Sequence, residues 1–255
     1  MNLIKLLAPC LIAPWIVWGC ATGQSMDPEV MRPSSGEPFL PRLPGPGLGG
    51  SYDTFSHALI AACQRILKKP GASVTHLQHL DFITRWRLST EYCAWIYYTP
   101  ARRYEISRLT DQSKVDPSEK LKTCVLPSFV DDARYPSNSI KYICAIHNHA
   151  YGSTLSDDDI RSIVSQGLIH GFDAETKDGT VLLSLVAFFS TDPENPSCDG
   201  FYQYVPAANG LYKWTRAGAD WRCRKTGKVE WQDADHYSLQ EMDADCPEFD
   251  DMGAP

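Results

Sequence analysis

A pair of histidines with one residue between them, followed by a Ser-x-x-Asp sequence, constrains the fold of this chain more than any other feature. His147 and His149 end an apolar run that is typical of a β-strand. Because side chains alternate along a strand, both imidazoles are expected on the same face. Ser156 and Asp159 are typical of the beginning of a helix, which places the carboxylate on the first helical turn. The sequence therefore predicts a strand followed closely by a helix, with three polar side chains near the junction.

Two imidazoles and one carboxylate form a ligand set that suits zinc and leaves a fourth position for water. We therefore predict that His147, His149 and Asp159 bind Zn²⁺. Each half of the pattern also has an ordinary explanation. Ser156 and Asp159 resemble a helix-capping box, although that motif normally has Glu or Gln at its third helical position, and a histidine pair can occur without a metal.

Length and charge limit the function classes. The chain has 255 residues, enough for one well-buried domain with extensions. It carries 24 basic and 31 acidic residues, which gives a net charge of −7. No basic cluster stands out, so we do not expect a nucleic-acid partner. The apolar fraction of 43% is that of an ordinary globular protein.

Residues 1–19 have the features of a secretory signal peptide. A short start that contains Lys5 precedes an apolar run over residues 6–18. This run is shorter than the roughly 20 residues that a membrane-spanning helix needs, and it matches the apolar region of a signal peptide.

The end of this segment, residues 17–20, resembles the lipobox of bacterial lipoproteins. Gly19 would fit the cleavage site, and Cys20 would carry the lipid. We therefore expect an exported protein that a lipid anchors to the membrane of the cell envelope. By resemblance to lipoprotein sorting signals, Ala21 favours the outer membrane. An uncleaved anchor, or ordinary cleavage near Ala21, is the alternative.

Composition divides the rest of the chain. Residues 21–50 contain six prolines and six glycines, so we predict that residues 20–50 are a lipidated tether without a core. We place the folded domain at 51–190, a β-rich extension at 191–232 and a loose acidic tail at 233–255.

Cysteine usage agrees with export, because disulfides persist in oxidising compartments. Without Cys10 and Cys20, seven of the nine cysteines remain, so at least one stays free or pairs outside the chain. The pairing is left open. The expected bridge formers lie in the turn-rich C-terminal part: Cys198, Cys223 and Cys246.

Periodicity and propensity predict the order of the elements. A helix should begin after Thr54 with Phe55, Ala58, Leu59, Ala62 and Ile66 on its buried face. A weaker helix is predicted over 73–82, and a third begins at Ser156 and runs to about residue 166. Strands are predicted over 92–98, 103–109, 121–126, 141–147 and 181–189, with shorter ones over 201–205, 210–215, 221–225 and 228–231. This order predicts an α/β or α+β fold with a mixed sheet flanked by helices.

The pattern resembles the JAB/MPN fold with the JAMM metal motif, a family of zinc-dependent isopeptidases. In that family a glutamate opens an early strand, His-x-His ends a later strand, and Ser-x-x-Asp begins the next helix. Here Glu91 precedes the strand predicted over 92–98 and matches the glutamate. The resemblance covers roughly residues 52–190.

The resemblance implies a role for each residue. His147, His149 and Asp159 would hold zinc. Glu91 would take a proton from the attacking water and pass it to the leaving amine, and Ser156 would donate a hydrogen bond to the oxyanion.

The sequence departs from the family pattern after the second histidine. Six residues separate His149 from Ser156, where the family usually has seven, and Ala150 stands where proline is common. Asp157 or Asp158 is therefore an alternative carboxylate ligand.

Two functions follow from the resemblance. The first is a lipid-anchored metallopeptidase-like hydrolase that cleaves an amide or isopeptide bond in a peptide or protein substrate. The alternative is a non-catalytic JAB-like binding or scaffold module on the cell envelope. An amidohydrolase-type barrel also uses His-x-His, but it needs about 250 residues of repeating strand–helix units. The sequence does not define the oligomeric state.

Overall fold

The computed structural model describes residues 27–47, 49–192, 195–218 and 220–246. The predicted signal peptide, the lipidation site Cys20 and the end of the acidic tail lie outside these residues. Within them the chain forms three α-helices, α1 (Phe55–Leu67), α2 (Phe82–Leu88) and α3 (Asp157–His170).

The same residues form seventeen strands, most of them short. In chain order they are β1 (Val30–Met31), β2 (Arg42–Gly45), β3 (Ser51–Tyr52), β4 (Cys93–Tyr98), β5 (Tyr104–Ile106), β6 (Leu109–Thr110), β7 (Ser113–Asp116), β8 (Leu121–Cys124), β9 (Phe129–Asp132), β10 (Lys141–Asn148), β11 (Asp173–Thr176), β12 (Gly179–Leu182), β13 (Ser184–Phe189), β14 (Gly200–Val205), β15 (Gly210–Ala217), β16 (Asp220–Trp231) and β17 (Tyr237–Asp245).

Eleven strands join in one mixed sheet, whose main path is β1-β6-β4-β10-β13-β14-β15-β16-β17. Off this path, β5 pairs with β4, and β3 pairs with β5. Strands β10 and β13 are parallel, and β4 is antiparallel to β10. The remaining strands form three two-stranded sheets, β2-β9, β7-β8 and β11-β12. The prediction of a mixed sheet flanked by helices is confirmed, and the fold contains more strand than helix.

The two faces of the sheet have separate cores, as the alternation along β4 makes clear. Ala94 and Ile96 pack with the buried face of α1, whereas Trp95 and Tyr97 pack on the other face with Ile160 of α3. The sheet therefore lies between α1 and α3, and any residue of β10 that faces α3 is brought towards the first turn of that helix.

Helix α1 begins as predicted. The hydroxyl of Thr54 accepts a hydrogen bond from the backbone N–H of His57, and the five predicted apolar side chains are buried. The helix predicted over 73–82 is wrong. A 3₁₀ turn occupies Thr75–Leu77, and α2 begins only after Asp81, because the Asp81 carboxylate caps the N–H of Thr84 at 3.0 Å.

Two predicted strand boundaries are also wrong. The apolar run over 181–189 is divided at Leu183 between β12 and β13. Conversely, the two strands predicted over 221–225 and 228–231 form a single strand, β16. Its register with β17 shifts between Lys225 and Gly227, and the pairing continues on both sides of this irregularity.

The prediction of a tether is wrong for residues 27–47. Strand β1 pairs with β6 and strand β2 pairs with β9, and Leu43 of β2 is completely buried. Lys69 forms ion pairs with Asp27 and Glu29. Proline lacks a backbone N–H but keeps its carbonyl acceptor and an apolar side chain. Pro44 is therefore tolerated in β2, which pairs with one strand only.

The acidic tail is likewise not loose over its described part. Strand β17 pairs with β16 along the edge of the sheet, and Arg224 forms ion pairs with Asp243 and Asp245. A disulfide between Cys223 and Cys246 closes this pair of strands. The extension is therefore a continuation of the same sheet.

Two further disulfides, Cys63–Cys198 and Cys93–Cys124, link segments that are distant in sequence. The three expected bridge formers are all paired, and Cys144 remains as a buried free thiol. In the described part of the chain, no helix combines the length and apolar character needed to cross a membrane.

Candidate metal centre

Strand β10 carries His147 near its end, and His149 directly follows its last residue. His147 is paired with Ala187 of β13 and with Cys93 of β4, and the backbone N–H of His149 donates to the carbonyl of Phe188 at 2.9 Å. Both imidazoles are buried, with 4% and 7% of the residue exposed. The predicted strand thus ends with two adjacent, inward-facing imidazoles.

Helix α3 supplies the carboxylate from its first turn. Ser156 is the N-cap, and its hydroxyl accepts a hydrogen bond from the N–H of Asp159. In return, Oδ2 of Asp159 accepts from the backbone N–H of Ser156 at 2.8 Å and from its hydroxyl at 2.7 Å. The ordinary reading of Ser-x-x-Asp as a capping box is therefore correct, and the same cap fixes the direction of the carboxylate.

The three side chains converge on one buried position. Nε2 of His147 lies 2.9 Å from Nε2 of His149, and the two nitrogens lie 3.2 and 3.3 Å from the carboxylate oxygens of Asp159. Tetrahedral ligands at about 2.0–2.1 Å from zinc lie roughly 3.3 Å from one another. The spacing and chemistry of the donors therefore fit a metal ion, and among the described residues this is the one such group of three.

The second ring nitrogen of His149 is also satisfied. Nδ1 lies 2.8 Å from the carbonyl oxygen of Ser153. Since a carbonyl only accepts, Nδ1 keeps its proton, and Nε2 is the nitrogen that would bind a metal once it has released its own proton. This carbonyl belongs to the six-residue loop between His149 and Ser156. The loop begins with a turn in which the N–H of Gly152 donates to the carbonyl of His149, and Gly152 has a φ of 71°.

Glu91 lines the cleft beside the ligand group. It lies two residues before β4, and its Oε2 accepts a hydrogen bond from the backbone N–H of Cys124 at 3.1 Å. A cleft of about 370 Å³ is lined by Glu91, His149, Ser156 and Asp159, together with residues of β8 and of the loop before α3. Burial raises the pKa of Glu91 to about 7, although the imidazoles of His147 and His149 oppose that rise.

The charges of Asp159 and the two histidines change one another's pKa values. Burial alone would raise the pKa of Asp159, but the charges and hydrogen bonds of His147 and His149 outweigh it and hold that pKa well below its usual value. Burial would lower the pKa of His149, but the hydrogen bond and charge of Asp159 raise it to about 9. A carboxylate with two imidazoles in a buried site favours occupation by a cation.

The alternative ligands do not reach the group. Asp157 accepts a hydrogen bond from the hydroxyl of Tyr237 at 2.5 Å, and Asp158 accepts one from the hydroxyl of Thr123 at 3.3 Å. Both carboxylates lie at the exposed rim. The missing loop residue has therefore not shifted the helix register, and Asp159 is the carboxylate beside the histidines.

Sequence reasoning missed the groups that surround Glu91. Asn148 was visible between the histidines, but its side chain lies on the opposite face of β10 and its partners are distant in sequence. The Cys93–Cys124 disulfide has no local signal either. Only the high number of cysteines and the expectation of export indicated that the chain forms disulfides.

Comparison with known proteins gives no match. No protein-family model matches the sequence, and no curated protein and no solved structure is similar to it. The resemblance to the JAB/MPN family consequently depends on the placement of Glu91, His147, His149, Ser156 and Asp159, and the chemistry of the centre has to be inferred from these residues.

Proposed function

We propose that this chain is a zinc-dependent hydrolase of the JAMM type that cleaves an amide or isopeptide bond in a peptide or protein substrate. One observation carries the proposal. His147, His149 and Asp159 converge on one buried position, and Glu91, from an earlier part of the chain, lines the cleft beside it. A structural role alone does not require a second carboxylate, with a raised pKa, opposite a metal-ligand group.

His147 and His149 would hold the zinc through Nε2, and Asp159 would hold it through a carboxylate oxygen. Three protein ligands leave one coordination position open, as in catalytic zinc sites. When bound, zinc supplies a Lewis acid that polarises a carbonyl and makes water nucleophilic near neutral pH.

Glu91 would act as the general base and then as the general acid. Its carboxylate lines the cleft, and burial raises its pKa above the ordinary value, which makes it a better proton acceptor than an exposed glutamate. One Oε atom would take the proton of the attacking water and pass it to the nitrogen of the leaving amine. The Cys124 N–H keeps the other oxygen in place during this transfer.

Ser156 would stabilise the oxyanion of the tetrahedral intermediate. Its hydroxyl donates to Asp159 at 2.7 Å, so it must rotate about its side chain to reach a substrate oxygen. The backbone N–H of Ser156 also donates to Asp159, which keeps the carboxylate oriented while the hydroxyl is redirected.

We also propose that the protein is exported and anchored to the envelope through lipid on Cys20, with Ala21 favouring the outer membrane. Three disulfides support export, because such bonds persist outside the cytosol. Since residues 27–47 pack on the domain, only seven residue-to-residue steps, from Cys20 to Asp27, separate the lipid from the folded surface, a reach of at most about 25 Å.

The proposal is tested on protein that lacks residues 1–20. We expect about one zinc per chain by elemental analysis, and its loss in His147→Ala. His57→Ala, which removes an exposed histidine of α1, is the control and should keep the metal. Equal zinc in wild type and His147→Ala would remove the metal assignment.

Activity is then sought with a library of blocked peptides that contain both ordinary and lysine isopeptide bonds, read by mass spectrometry. We expect cleavage by the wild type, and retention of zinc with loss of nearly all turnover in Glu91→Gln. Zinc binding without cleavage of any peptide would favour the alternative, a non-catalytic JAB-like binding or scaffold module.

A further inference from the structure

Glu91 is not held by the main sheet. The pairing of β4 with β10 reaches only to Cys93 opposite His147, and Glu91 lies two residues earlier, outside regular secondary structure. A general base must keep its position to within a fraction of an ångström. Other contacts therefore have to hold Glu91, and two sets of contacts do so.

The first set is the side-chain amide of Asn148. It is completely buried, and its Nδ2 donates to the carbonyls of Ala72 at 2.7 Å and Thr90 at 3.0 Å. Its Oδ1 accepts from the N–H of Tyr92 at 2.8 Å. Asn148 thus binds the backbone immediately before and immediately after Glu91. Both amide hydrogens and the amide oxygen are used, which neither Asp nor Leu could reproduce.

Asn148 also couples the two halves of the centre. It lies between the two histidines in sequence, and because side chains alternate along β10 it points to the opposite face. A single three-residue segment therefore presents two metal ligands on one face and holds the backbone of Glu91 on the other.

The second set is the Cys93–Cys124 disulfide. Strands β7 and β8 form their own two-stranded sheet and share no ladder with the main sheet. The disulfide ties the last residue of β8 to the first residue of β4, opposite His147. The N–H of Cys124 is the group that donates to the carboxylate of Glu91. This bond therefore holds both the hairpin and the hydrogen-bond donor against the base.

We propose that Asn148 and the Cys93–Cys124 disulfide are positioning groups for Glu91: the amide fixes its backbone and the disulfide fixes the donor to its carboxylate. The inference rests on the proposed function, since it gives Glu91 a catalytic role. It adds that the base depends on an oxidised cysteine pair, whereas the metal ligands on β10 and α3 do not.

The test compares Asn148→Ala and the double variant Cys93→Ala/Cys124→Ala with two matched controls. Gln166→Ala removes another buried amide side chain, and Cys223→Ala/Cys246→Ala removes the disulfide at the edge of the sheet. Amide hydrogen exchange is measured by NMR on the metal-free proteins, followed by zinc content. Values of kcat and KM are measured on the library peptide that the wild type cleaves best.

We expect the Tyr92 amide to exchange at least tenfold faster in Asn148→Ala, and the amide of residue 124 at least tenfold faster in the double variant. Both proteins should keep one equivalent of zinc. Their kcat should fall at least tenfold while KM stays within threefold, and the controls should change none of these quantities. Asn148→Ser is the second variant if alanine does not fold.

Unchanged exchange at both amides in folded variants would overturn the inference, as would faster exchange with wild-type kcat. If the wild type cleaves no peptide, the proposed function fails, and the exchange rates alone still decide whether these groups hold Glu91.

Discussion

Ser156 and Asp159 hydrogen-bond to each other at the N-terminus of α3, and the carboxylate of Asp159 also contacts His147 and His149. Oδ2 of Asp159 accepts from both the N–H and the hydroxyl of Ser156, and the hydroxyl of Ser156 accepts from the N–H of Asp159. The same carboxylate lies 3.2 and 3.3 Å from His147 and His149. Helix stability and ligand orientation therefore depend on the same contact.

Ser156→Ala should consequently have two effects. Loss of the N-cap is expected to lower the free energy of unfolding by about 1 kcal/mol in urea denaturation of the metal-free protein. Loss of the contact that orients Asp159 should also weaken zinc binding by roughly tenfold, as removal of outer ligand contacts does in other metal sites. A destabilised variant with wild-type zinc affinity would show that the cap and the metal site are independent.

Glu91 should make the stability of the metal-free protein depend on pH. Its pKa is about 7 in the folded chain, above the ordinary 4.5, so the folded state binds the proton more tightly than the unfolded state does. The stabilising effect is complete below about pH 4.5 and is lost as the pH rises through 7. At pH 8 the ionised, partly buried Glu91 lowers the free energy of unfolding by about 3 kcal/mol relative to an exposed glutamate.

Glu91→Gln removes this titration while keeping an oxygen for the Cys124 N–H. In the presence of EDTA we expect the variant to gain stability over wild type as the pH rises from 4 to 8, measured by urea denaturation at each pH. A stability difference that stays constant over this range would mean that Glu91 has an ordinary pKa.

Asp132 should show the opposite dependence on pH. Its buried carboxylate accepts from Nε of Arg134 at 2.9 Å and from the hydroxyl of Tyr97 at 2.8 Å. The hydrogen bond from Arg134 lowers its pKa, so its contribution to stability is present above about pH 3.8 and is lost as the pH falls through the folded pKa.

We expect Asp132→Asn to lower the free energy of unfolding at pH 7 by about 1–3 kcal/mol. A fully buried ion pair would cost more to break, but water screens the partly exposed Arg134. The difference from wild type should shrink when urea denaturation is repeated near pH 3. An equal difference at both pH values would contradict the ion-pair assignment.

The N-terminal Pro/Gly-rich segment offers a test of its own. Leu43 of β2 is completely buried in the core on the α3 side of the sheet, so Leu43→Ala should lower the free energy of unfolding by about 2–5 kcal/mol. Leu168→Ala is the matched control, because that leucine is 77% exposed on α3, and its cost should be within about 0.5 kcal/mol. If the two variants have equal free energies of unfolding in urea, residues 27–47 do not pack on the domain.

The features that could be predicted from sequence are those with a local signal. Local residues predict four features: the cap at Thr54, the apolar face of α1, the strand that carries His147, and the start of α3 after Ser156. The ligand group was predictable for the same reason, because its two halves belong to adjacent elements.

The features that could not be predicted depend on contacts between distant segments. Leu43 is buried only because β9, almost ninety positions later, provides a partner strand. The acidic β17 is ordered by pairing with β16, which outweighs its poor strand composition. Asn148 and the Cys93–Cys124 pair owe their importance to what they contact around Glu91, and that relationship is invisible in a linear pattern.

The central claim is that His147, His149 and Asp159 bind one zinc ion opposite Glu91. An anomalous difference map, recorded at the zinc absorption edge from a crystal of the zinc-loaded chain lacking residues 1–20, tests it most directly. We expect one strong peak about 2.0–2.2 Å from Nε2 of both histidines and from a carboxylate oxygen of Asp159. Absence of a peak at this position, or a peak held by other side chains, would contradict it.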